Sequence, residues 1–381
     1  MITHEIGSLI KPNWRVKAVQ GKRLSEADIQ YAEVWGKRLK VPNYGELIEL
    51  LKANSFSEDA KEKVKRWASL YALKLLESAG LDVVYDGEQQ RSEMYHYPVS
   101  HASGFEFRGD VRSFDNKYYM KAACVAPPKL LKPYHLEEFV FLAQHAQKPL
   151  KVPITGAYTL VDWSFDEYYA KEVHEIGSRA GRRRRQEARR QFVLDVARNL
   201  IRPNIEALVK AGAKWIQIDE PAVTTHPEEV PLFVESFNES VRGFDCQFSI
   251  HICFSDYNLI FPHIEGLEGA SQLSIGFANY DTRELGAKRA VRPGYETLYK
   301  FKALSKRFRI GLGVLDIHTD FIEPPELVRD RILYAAEVLG DPELVSPCPD
   351  CGLRTRTWEV AYEKLRSLVE GTRMAEEILF N

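Results

Sequence analysis

Short apolar segments alternate with longer amphipathic segments along this 381-residue chain. The apolar segments are typical of buried β-strands, and they cover residues 4–10, 82–88, 151–158, 214–221, 246–254, 272–277, 308–318 and 343–350. Helical periodicity covers residues 58–79, 136–147, 166–211, 227–241, 295–306, 325–339 and 354–378. The length alone permits two average domains or one large barrel. Because the eight strands are apolar throughout, as strands covered on both faces must be, the pattern favours one α/β domain over residues 1–381, a (β/α)₈ TIM barrel.

Three segments add to this alternation. Residues 101–125 place the turn sequence FDNK between aromatic and β-prone residues, which predicts a β-hairpin inserted after the second strand. Residues 11–57 form a long connection after the first strand, and such loops usually build the active site of a barrel. The sequence RAGRRRRQEARRQF lies in a long extra helix, predicted over 166–211. Helical spacing directs most of its arginines to solvent, with an anion-binding or partner-docking face as the alternative.

Composition narrows the function classes. Apolar residues make up 45% and charged residues 28%, with a net charge of −2, so bulk charge attracts neither nucleic acid nor an anionic membrane. The N-terminal sequence lacks a secretory pattern and no run of about 18 apolar residues occurs, which predicts a cytoplasmic protein. The five cysteines are an odd and scattered set, which indicates free, metal-bound or catalytic thiols rather than a disulfide framework.

Three soft ligands are candidates for a metal site. His251 and Cys253 end the fifth strand at positions i and i+2, whose side chains face the same way, and Cys351 follows the eighth strand. In a closed barrel these ends share one mouth, and an imidazole with two thiolates suits zinc with one open position. A core histidine with buried cysteines is the alternative. The sequence CPDC at 348–351 is also compatible with a redox pair.

Other strand ends also carry polar or aromatic residues, namely Ser8, Glu88, Trp163, Asp219 and His318. In a barrel, such positions usually carry the chemistry. Structural roles remain open for some of them. Asp219 and its neighbour Glu220 are compatible with helix N-terminal acids, and Glu88 with a salt bridge to Arg91.

Seven short motifs occur at separate points of the chain: IGS at 6–8, DGEQQRSEM at 86–94, TGAYTLVDWSF at 155–165, QIDEPA at 217–222, HICFSDYN at 251–258, GVLDIH at 313–318 and PDCGLRTR at 349–356. In this order they resemble the cobalamin-independent methionine synthase family, in particular a short, single-barrel form of its C-terminal catalytic barrel. The motifs span nearly the whole chain. The resemblance therefore covers nearly the whole predicted barrel.

The resemblance implies a zinc-dependent methyltransferase that methylates the thiol of homocysteine to form methionine. The residues it assigns to zinc are His251, Cys253 and Cys351. Those it assigns to homocysteine are Ser8, Glu88 and Asp219. It makes His318 the proton donor or positioning group and places Trp163 where the family stacks a pterin ring.

The sequence departs from the family at two points. Gly276 stands where the family has a fourth zinc ligand, a glutamate, so the metal would have three protein ligands or take water, Cys348 or a nearby acid. The long folate-using enzymes carry a duplicated N-terminal barrel that these 381 residues do not contain. The methyl donor is accordingly either methyltetrahydrofolate or a methylated corrinoid, possibly bound to a protein.

Two other functions remain open. One is a different zinc-activated thiol alkyltransferase, similar to epoxyalkane:coenzyme M transferase, which also uses HxC and a distant cysteine. Glu88 and Asp219 would repel its sulfonate unless arginines offset them, the candidates being Arg15, Arg91, Arg108 and Arg112. The other is a non-catalytic, zinc-stabilised barrel that docks a corrinoid or a partner protein through the basic helix, with Cys348 as a structural fourth ligand.

Overall fold

The computed structural model describes residues 1–112, 118–171, 173, 179–253, 255–305 and 308–381. Its strands are β1 (Ala102–Arg112), β2 (Tyr118–Leu130), β3 (Lys151–Thr155), β4 (Phe165–Asp166), β5 (Trp215–Asp219), β6 (Gln247–Ile252), β7 (Ala270–Ile275), β8 (Arg309–Leu315) and β9 (Val345–Pro349). The first helices are α1 (Asn13–Val19), α2 (Glu26–Arg38), α3 (Tyr44–Ala53), α4 (Glu58–Ala79), α5 (His96–Val99), α6 (Leu136–Ala143) and α7 (Ala157–Asp162). The later ones are α8 (Arg179–Val196), α9 (Arg202–Lys210), α10 (Val230–Val241), α11 (Leu298–Ala303), α12 (Pro325–Leu339) and α13 (Trp358–Leu379).

A parallel sheet of six strands, in the order β3-β5-β6-β7-β8-β9, forms the centre of the fold. Every residue of β3 and β9 is buried, and so are all but the first residue of β6. Parallel strands that are covered on both faces read as apolar runs, which is why the sequence located these six strands. Because the strands are parallel, the residues that follow them emerge at one end of the sheet.

The predicted closed barrel of eight strands is confirmed only in part. The structure is an α/β fold with a parallel sheet, but the sheet itself is not closed. The first two predicted strands, 4–10 and 82–88, make isolated parallel bridges, His4 with Val83 and Val84 with Leu150. The amide of His4 also donates to the carbonyl of Pro347 in β9 at 3.3 Å. Two short segments therefore lie between the edge strands without forming regular strands.

Local signals explain the helix boundaries. Helices α4 and α12 lie where the periodicity predicted them, at 58–79 and 325–339. The Ser57 side chain accepts from the amide of Ala60 and so caps α4, and Gly80 ends it at a φ of 95°. At the start of α2, Ser25 and Asp28 form a capping box. Helices α1 to α3 occupy most of the 11–57 connection, for which the periodicity predicted no helix.

The inserted segment contains two long antiparallel strands. β1 pairs with β2 from Ala102 opposite Leu130 to Arg112 opposite Tyr118. The predicted turn, FDNK at 114–117, lies outside the described residues. The strand β4 adds to this hairpin in parallel, with Phe165 opposite Ala123. These contacts extend the hairpin beyond residue 125 and connect it to the segment that follows α7.

The helix predicted over 166–211 is wrong in its first part. Phe165 and Asp166 pair with β2, and the Asp166 carboxylate then accepts from the amides of Tyr168, Tyr169 and Ala170, which makes a turn rather than a helix. The arginine-rich helix α8 begins at Arg179 and continues through a π-helical turn, Ala197–Ile201, into α9. Residues 172 and 174–178 lie outside the described part of the chain. None of the helices that the structure describes is both long and apolar enough for a membrane span.

Candidate functional site

Three side chains from distant parts of the chain meet at the end of the parallel sheet. The ligand atoms of His251, Cys253 and Cys351 all lie within 4.8 Å of one another, and His251 Nε2 is 3.4 Å from Cys351 Sγ. His251 belongs to β6, Cys253 follows that strand, and Cys351 follows β9. The predicted convergence of these three residues is present, and the structure describes no other such group that could hold a metal ion.

The backbone fixes which nitrogen of His251 faces the thiols. Its Nδ1 lies 3.1 Å from the carbonyl oxygen of Ser274 on the neighbouring strand β7. A carbonyl only accepts, so Nδ1 carries a proton and donates it, and Nε2 is the nitrogen that faces the sulfur of Cys351. A histidine that ligates a metal usually has this arrangement, with its second nitrogen held by an outer partner.

Cys253 donates a hydrogen bond to the sulfur of Cys351, and this bond changes the pKa of both thiols. A hydrogen bond from Cys253, together with His251, holds the pKa of Cys351 well below its usual range despite burial. The same hydrogen bond and burial raise the pKa of Cys253 well above its usual value. Burial lowers the pKa of His251, but the Cys351 thiolate outweighs it and the net shift is upward. One imidazole and two sulfurs in this arrangement make an electron-rich set that suits a soft divalent cation such as zinc.

Cys348 lies apart from this group. It is buried within β9, and burial raises the pKa of its thiol far above the ordinary value. A reactive redox cysteine has the opposite properties, namely partial exposure and a lowered pKa. The geometry therefore disfavours both the redox pair at 348–351 and a structural fourth ligand from Cys348.

Gly276 lies beside the cluster, at the end of β7. A Cβ atom added there would lie 3.1 Å from Asp350 Cβ and 3.3 Å from the hydroxyl of Tyr257, to which the Gly276 amide donates. The space that a longer side chain would enter is thus already taken by two other residues. Among the described residues, the group that could hold a metal ion has three members, His251, Cys253 and Cys351, and Gly276 adds no ligand to it.

Asp350 is a residue that sequence reasoning missed. Its carboxylate accepts from three consecutive amides, those of Phe277, Ala278 and Asn279, at 3.0, 3.0 and 2.7 Å. It thereby ties the loop after β7 to the residue that precedes Cys351. Burial raises its pKa to about 7, and the three amides oppose that shift. Its position in the PDCG motif was the available signal, but its role depends on a loop more than 70 residues away.

His318 lies at the same mouth. A narrow pocket brings it together with Cys253 and Cys351, and its remaining lining residues are Tyr257, Gly276, Asn279 and Asp350. The His318 side chain is exposed, and its amide donates to Asp316 Oδ1 at 2.9 Å. The buried ammonium of Lys364 holds this loop by donating to the Asp316 carbonyl at 2.9 Å and to Glu323 at 2.8 Å.

The residues predicted to bind homocysteine lie near the three candidate metal ligands. Ser8 packs against Gly352, the residue after Cys351, so closely that a Cβ at Gly352 would collide with the Ser8 hydroxyl. Asp219 pairs with His251 across β5 and β6. Glu88 has the unusual φ of 59°, and its Oε1 would lie 2.8 Å from a Cβ added at Gly7. Glycine in the IGS motif therefore makes room for the Glu88 carboxylate.

Asp219 and Glu220 differ in their surroundings. Burial of its carboxyl group raises the pKa of Asp219 to about 7. The neighbouring His251 opposes that shift and Glu88 adds to it. Glu220 is buried, and its carboxylate accepts from the amides of Tyr158 and Thr159 at the start of α7. The helix N-terminal role that was open for both acids therefore belongs to Glu220. The cap also explains why α7 replaces the predicted end of strand 151–158.

Trp163 belongs to a separate aromatic group. It follows α7, and its ring centroid lies 5.8 Å from that of Tyr119 and 6.4 Å from that of Tyr95. Tyr119 lies on β2, so the inserted hairpin supplies part of this group. The indole is only partly buried, which leaves ring surface on which a flat ligand can stack.

Comparisons with known proteins find relatives of this chain. A family model described as the catalytic domain of cobalamin-independent synthase matches residues 43–374. The methionine synthase of Thermoplasma volcanium is 39% identical over 329 residues, which are 82% of this chain and 89% of that protein. The methionine synthase of Thermoplasma acidophilum is 37% identical over 382 residues, with 97% and 96% covered.

A solved structure also has this fold. The B12-independent methionine synthase from Shewanella sp. W3-18-1, in complex with selenomethionine, matches with a TM-score of 0.71. The match covers 99% of this chain and 98% of that one at 21% sequence identity. At this identity the likeness shows the fold alone.

Proposed function

This chain belongs to the cobalamin-independent methionine synthase family and is a methyltransferase that acts on homocysteine, and we propose that it does so with a zinc ion held by His251, Cys253 and Cys351. The observation that carries the proposal is the convergence of these three ligand atoms within 4.8 Å. The hydrogen bond from His251 Nδ1 to Ser274 supports it, because it leaves Nε2 as the nitrogen that faces Cys351.

When bound, zinc would supply a Lewis acid that lowers the pKa of the homocysteine thiol and keeps the sulfur as a nucleophile at neutral pH. The chain's own residues bind the rest of the amino acid. Glu88 and Asp219 provide two carboxylates for its ammonium group, and Ser8 faces it from the IGS segment beside Gly352. The sulfur of the product thioether is a weaker ligand than a thiolate, which favours release of methionine.

We assign His318 to the reacting centre. It lines the same pocket as Cys253 and Cys351, and its exposed side chain is within reach of a methyl donor that approaches from solvent. A proton must reach the donor's leaving group after transfer from a folate, and an imidazole is suited to deliver it near neutral pH. The anchors at Asp316 and Lys364 keep its loop in place.

The aromatic group of Trp163, Tyr95 and Tyr119 is the proposed binding surface for the methyl donor. A pterin ring is flat and stacks on aromatic faces, and the hairpin brings Tyr119 to that surface. The donor is methyltetrahydrofolate or a methylated corrinoid, possibly protein-bound. We propose that the protein acts in the cytoplasm and has neither a nucleic-acid partner nor a membrane partner.

The structure gives no support to the coenzyme M alternative. The arginines required to balance its sulfonate have other partners: Arg15 donates to the carbonyl of Gln89 at 2.8 Å, and Arg108 pairs with Glu106 and Glu167. Arg91 binds Glu138 at 2.7 Å and also lies 3.7 Å from Glu88, so the open salt bridge between Glu88 and Arg91 is present. Arg112 is exposed at the end of β1. The sulfonate would still face the Asp219 carboxylate, whereas homocysteine brings an ammonium that matches it.

We also propose that the whole chain, 1–381, acts as one (β/α)₈ unit into which the hairpin is inserted. The bridges at His4, Val83 and Val84 support this, because they lie between β9 and β3 in the positions of the first two barrel strands. The long basic helix α8 has no role in this chemistry. Its Arg189 and Arg190 pair with Glu229 and Glu235.

The direct test is a transfer assay with the zinc-loaded protein. Homocysteine and coenzyme M are each supplied with methylcobalamin or with methyltetrahydrofolate, and the thioethers are measured by mass spectrometry. We expect methionine from homocysteine with at least one donor, and no methylated coenzyme M. Zinc-loaded protein that alkylates coenzyme M and leaves homocysteine unchanged would contradict the proposal.

A further inference from the structure

A lysine and a glutamine are fully buried directly beneath the proposed homocysteine site. Lys151 on β3 and Gln217 on β5 each have 0% exposure, and Lys151 Nζ lies 2.6 Å from Gln217 Oε1. The ammonium also contacts His4 Nδ1 at 3.0 Å and donates to the carbonyl of Glu5. A buried ammonium is costly unless it is well bonded, and the contacts with Gln217, His4 and Glu5 provide that bonding.

The lysine decides which way the glutamine amide faces. An ammonium has three donors and no acceptor, so the atom of Gln217 that meets it must be the carbonyl oxygen. The NH₂ group is therefore directed to the other side. There it donates to the carbonyl of Ile6 at 2.6 Å and to Asp219 Oδ1 at 2.8 Å. The hydrogen bonds run in one direction, from Lys151 through Gln217 to Asp219.

The two acceptors of this amide belong to the two segments assigned to the amino acid. Ile6 begins the IGS motif that carries Ser8, and Asp219 ends β5 beside His251. The Gln217 side chain thus holds in place both the backbone of the IGS segment and one oxygen of the Asp219 carboxylate. With Oδ1 held by Gln217, the direction of Oδ2 is fixed as well, because the carboxylate is planar.

We propose that Gln217, oriented by Lys151, is a positioning residue that fixes Asp219 and the IGS segment for the amino group of homocysteine. The inference rests on the proposed function, in which Asp219 binds that ammonium. Gln217 itself touches neither the substrate nor the metal. It acts through the carboxylate, so its loss should weaken recognition of the amino group and leave recognition of the thiol unchanged.

The test compares two thiols by calorimetric titration of the zinc-loaded protein: homocysteine and γ-mercaptobutyrate, which is homocysteine without its amino group. We expect the wild-type protein to bind homocysteine more tightly. In Gln217→Met this preference should fall about tenfold, the value of one charge-assisted hydrogen bond, while affinity for γ-mercaptobutyrate stays within about twofold. In turnover, KM for homocysteine should rise and kcat should change little.

Gln272→Met is the matched control. Gln272 is also a fully buried glutamine of the central sheet, but its amide contacts His4 and Ser274 rather than Asp219. Its loss should leave the preference for the amino group intact. Gln217→Glu is the second variant, since a carboxylate still accepts from Lys151 but has no NH₂ for Asp219. It should lose the preference too, and Lys151 should help it to fold as a counter-ion.

The outcomes separate the two proposals. If the wild-type protein binds both thiols equally, the ammonium site itself is wrong, and this inference is wrong with it. If the wild-type protein prefers homocysteine and folded Gln217→Met or Gln217→Glu keeps the full preference, only the role of Gln217 is overturned. A preference lost in both Gln217 variants and kept in Gln272→Met supports the inference.

Discussion

His251 Nδ1 lies 3.1 Å from the carbonyl oxygen of Ser274, and this contact directs the other ring nitrogen to Cys351 at 3.4 Å. The neighbouring strand therefore sets the tautomer of the histidine before any ligand binds. A site whose donor atoms are already oriented loses little conformational freedom when it takes up a metal.

His251→Ala should lower zinc affinity by more than about 100-fold, which exceeds the effect of losing an outer hydrogen-bond partner. The reason is that it removes one of three protein ligands. Competition with a chromophoric chelator measures the affinity. His226→Ala is the control, because His226 contacts Asp162 at 3.5 Å and lies outside the metal group. Equal zinc affinity in the two variants would remove His251 from the metal site.

The variants Asp219→Asn and Glu220→Gln should show that these two adjacent acids have different roles. Asp219→Asn should raise KM for homocysteine by about tenfold to 100-fold, because the ammonium loses a charged partner. Glu220→Gln should instead destabilise the fold by about 1–3 kcal/mol, since Glu220 caps α7 through the amides of Tyr158 and Thr159. Steady-state kinetics and urea denaturation distinguish these effects. The same change in KM for both variants, with normal stability, would argue against the division of roles.

His318→Gln should lower kcat by about 100-fold or more, the usual contribution of a positioned proton donor. Its zinc content and its affinity for homocysteine should remain those of the wild-type protein, because His318 lines the pocket without being one of the three clustered ligands. Stopped-flow measurement of a single turnover gives the rate. His263→Gln, at an exposed histidine after β6, should be neutral. A normal single-turnover rate in His318→Gln would exclude the assigned role.

Glu5 should make stability depend on pH. Its carboxylate is buried and has no hydrogen-bond partner among the described residues; burial raises its pKa from 4.5 to about 8, while Lys151 opposes the shift. The folded state thus binds this proton more tightly than the unfolded state. The stability that the proton confers is complete below about 4.5 and is lost as pH rises through about 8.

Glu5→Gln removes this titration, so the stability of the variant relative to the wild-type protein should increase with pH. Urea denaturation at about pH 5 and about pH 9 measures it, and we expect a difference of about 1 kcal/mol or more, since one pKa unit is worth about 1.4 kcal/mol. Glu343→Gln, at an exposed glutamate, is the control. A constant difference between Glu5→Gln and the wild-type protein across this range would show that Glu5 does not titrate there.

The sequence located features that depend on local pattern. The six apolar strands and helices α4 and α12 follow from periodicity and caps, and His251 with Cys253 follows from strand alternation. Their meeting with Cys351 was predictable because parallel strands end on one side. The segments around His4 and Val83 read as strands because they are apolar, but they make only isolated bridges, which depends on their neighbours in space.

The features that sequence reasoning missed depend on contacts between distant segments. Asp350 holds the loop after β7, and Gln217 joins Lys151 to Asp219. Neither residue type at its position predicts such a partner. The division between Asp219 and Glu220 likewise required the position of α7, whose amides bind only the second acid.

X-ray absorption at the zinc edge, recorded with and without homocysteine, tests the central claim most directly. The account predicts one zinc per chain with two sulfur neighbours at about 2.3 Å and nitrogen or oxygen in the remaining positions. Addition of homocysteine should raise the sulfur count to three, and Cys351→Ala should hold little zinc, while Cys246→Ala, at a free cysteine before β6, should behave as the wild-type protein. A protein that binds no zinc, or a zinc whose neighbours stay the same when homocysteine is added, would contradict it.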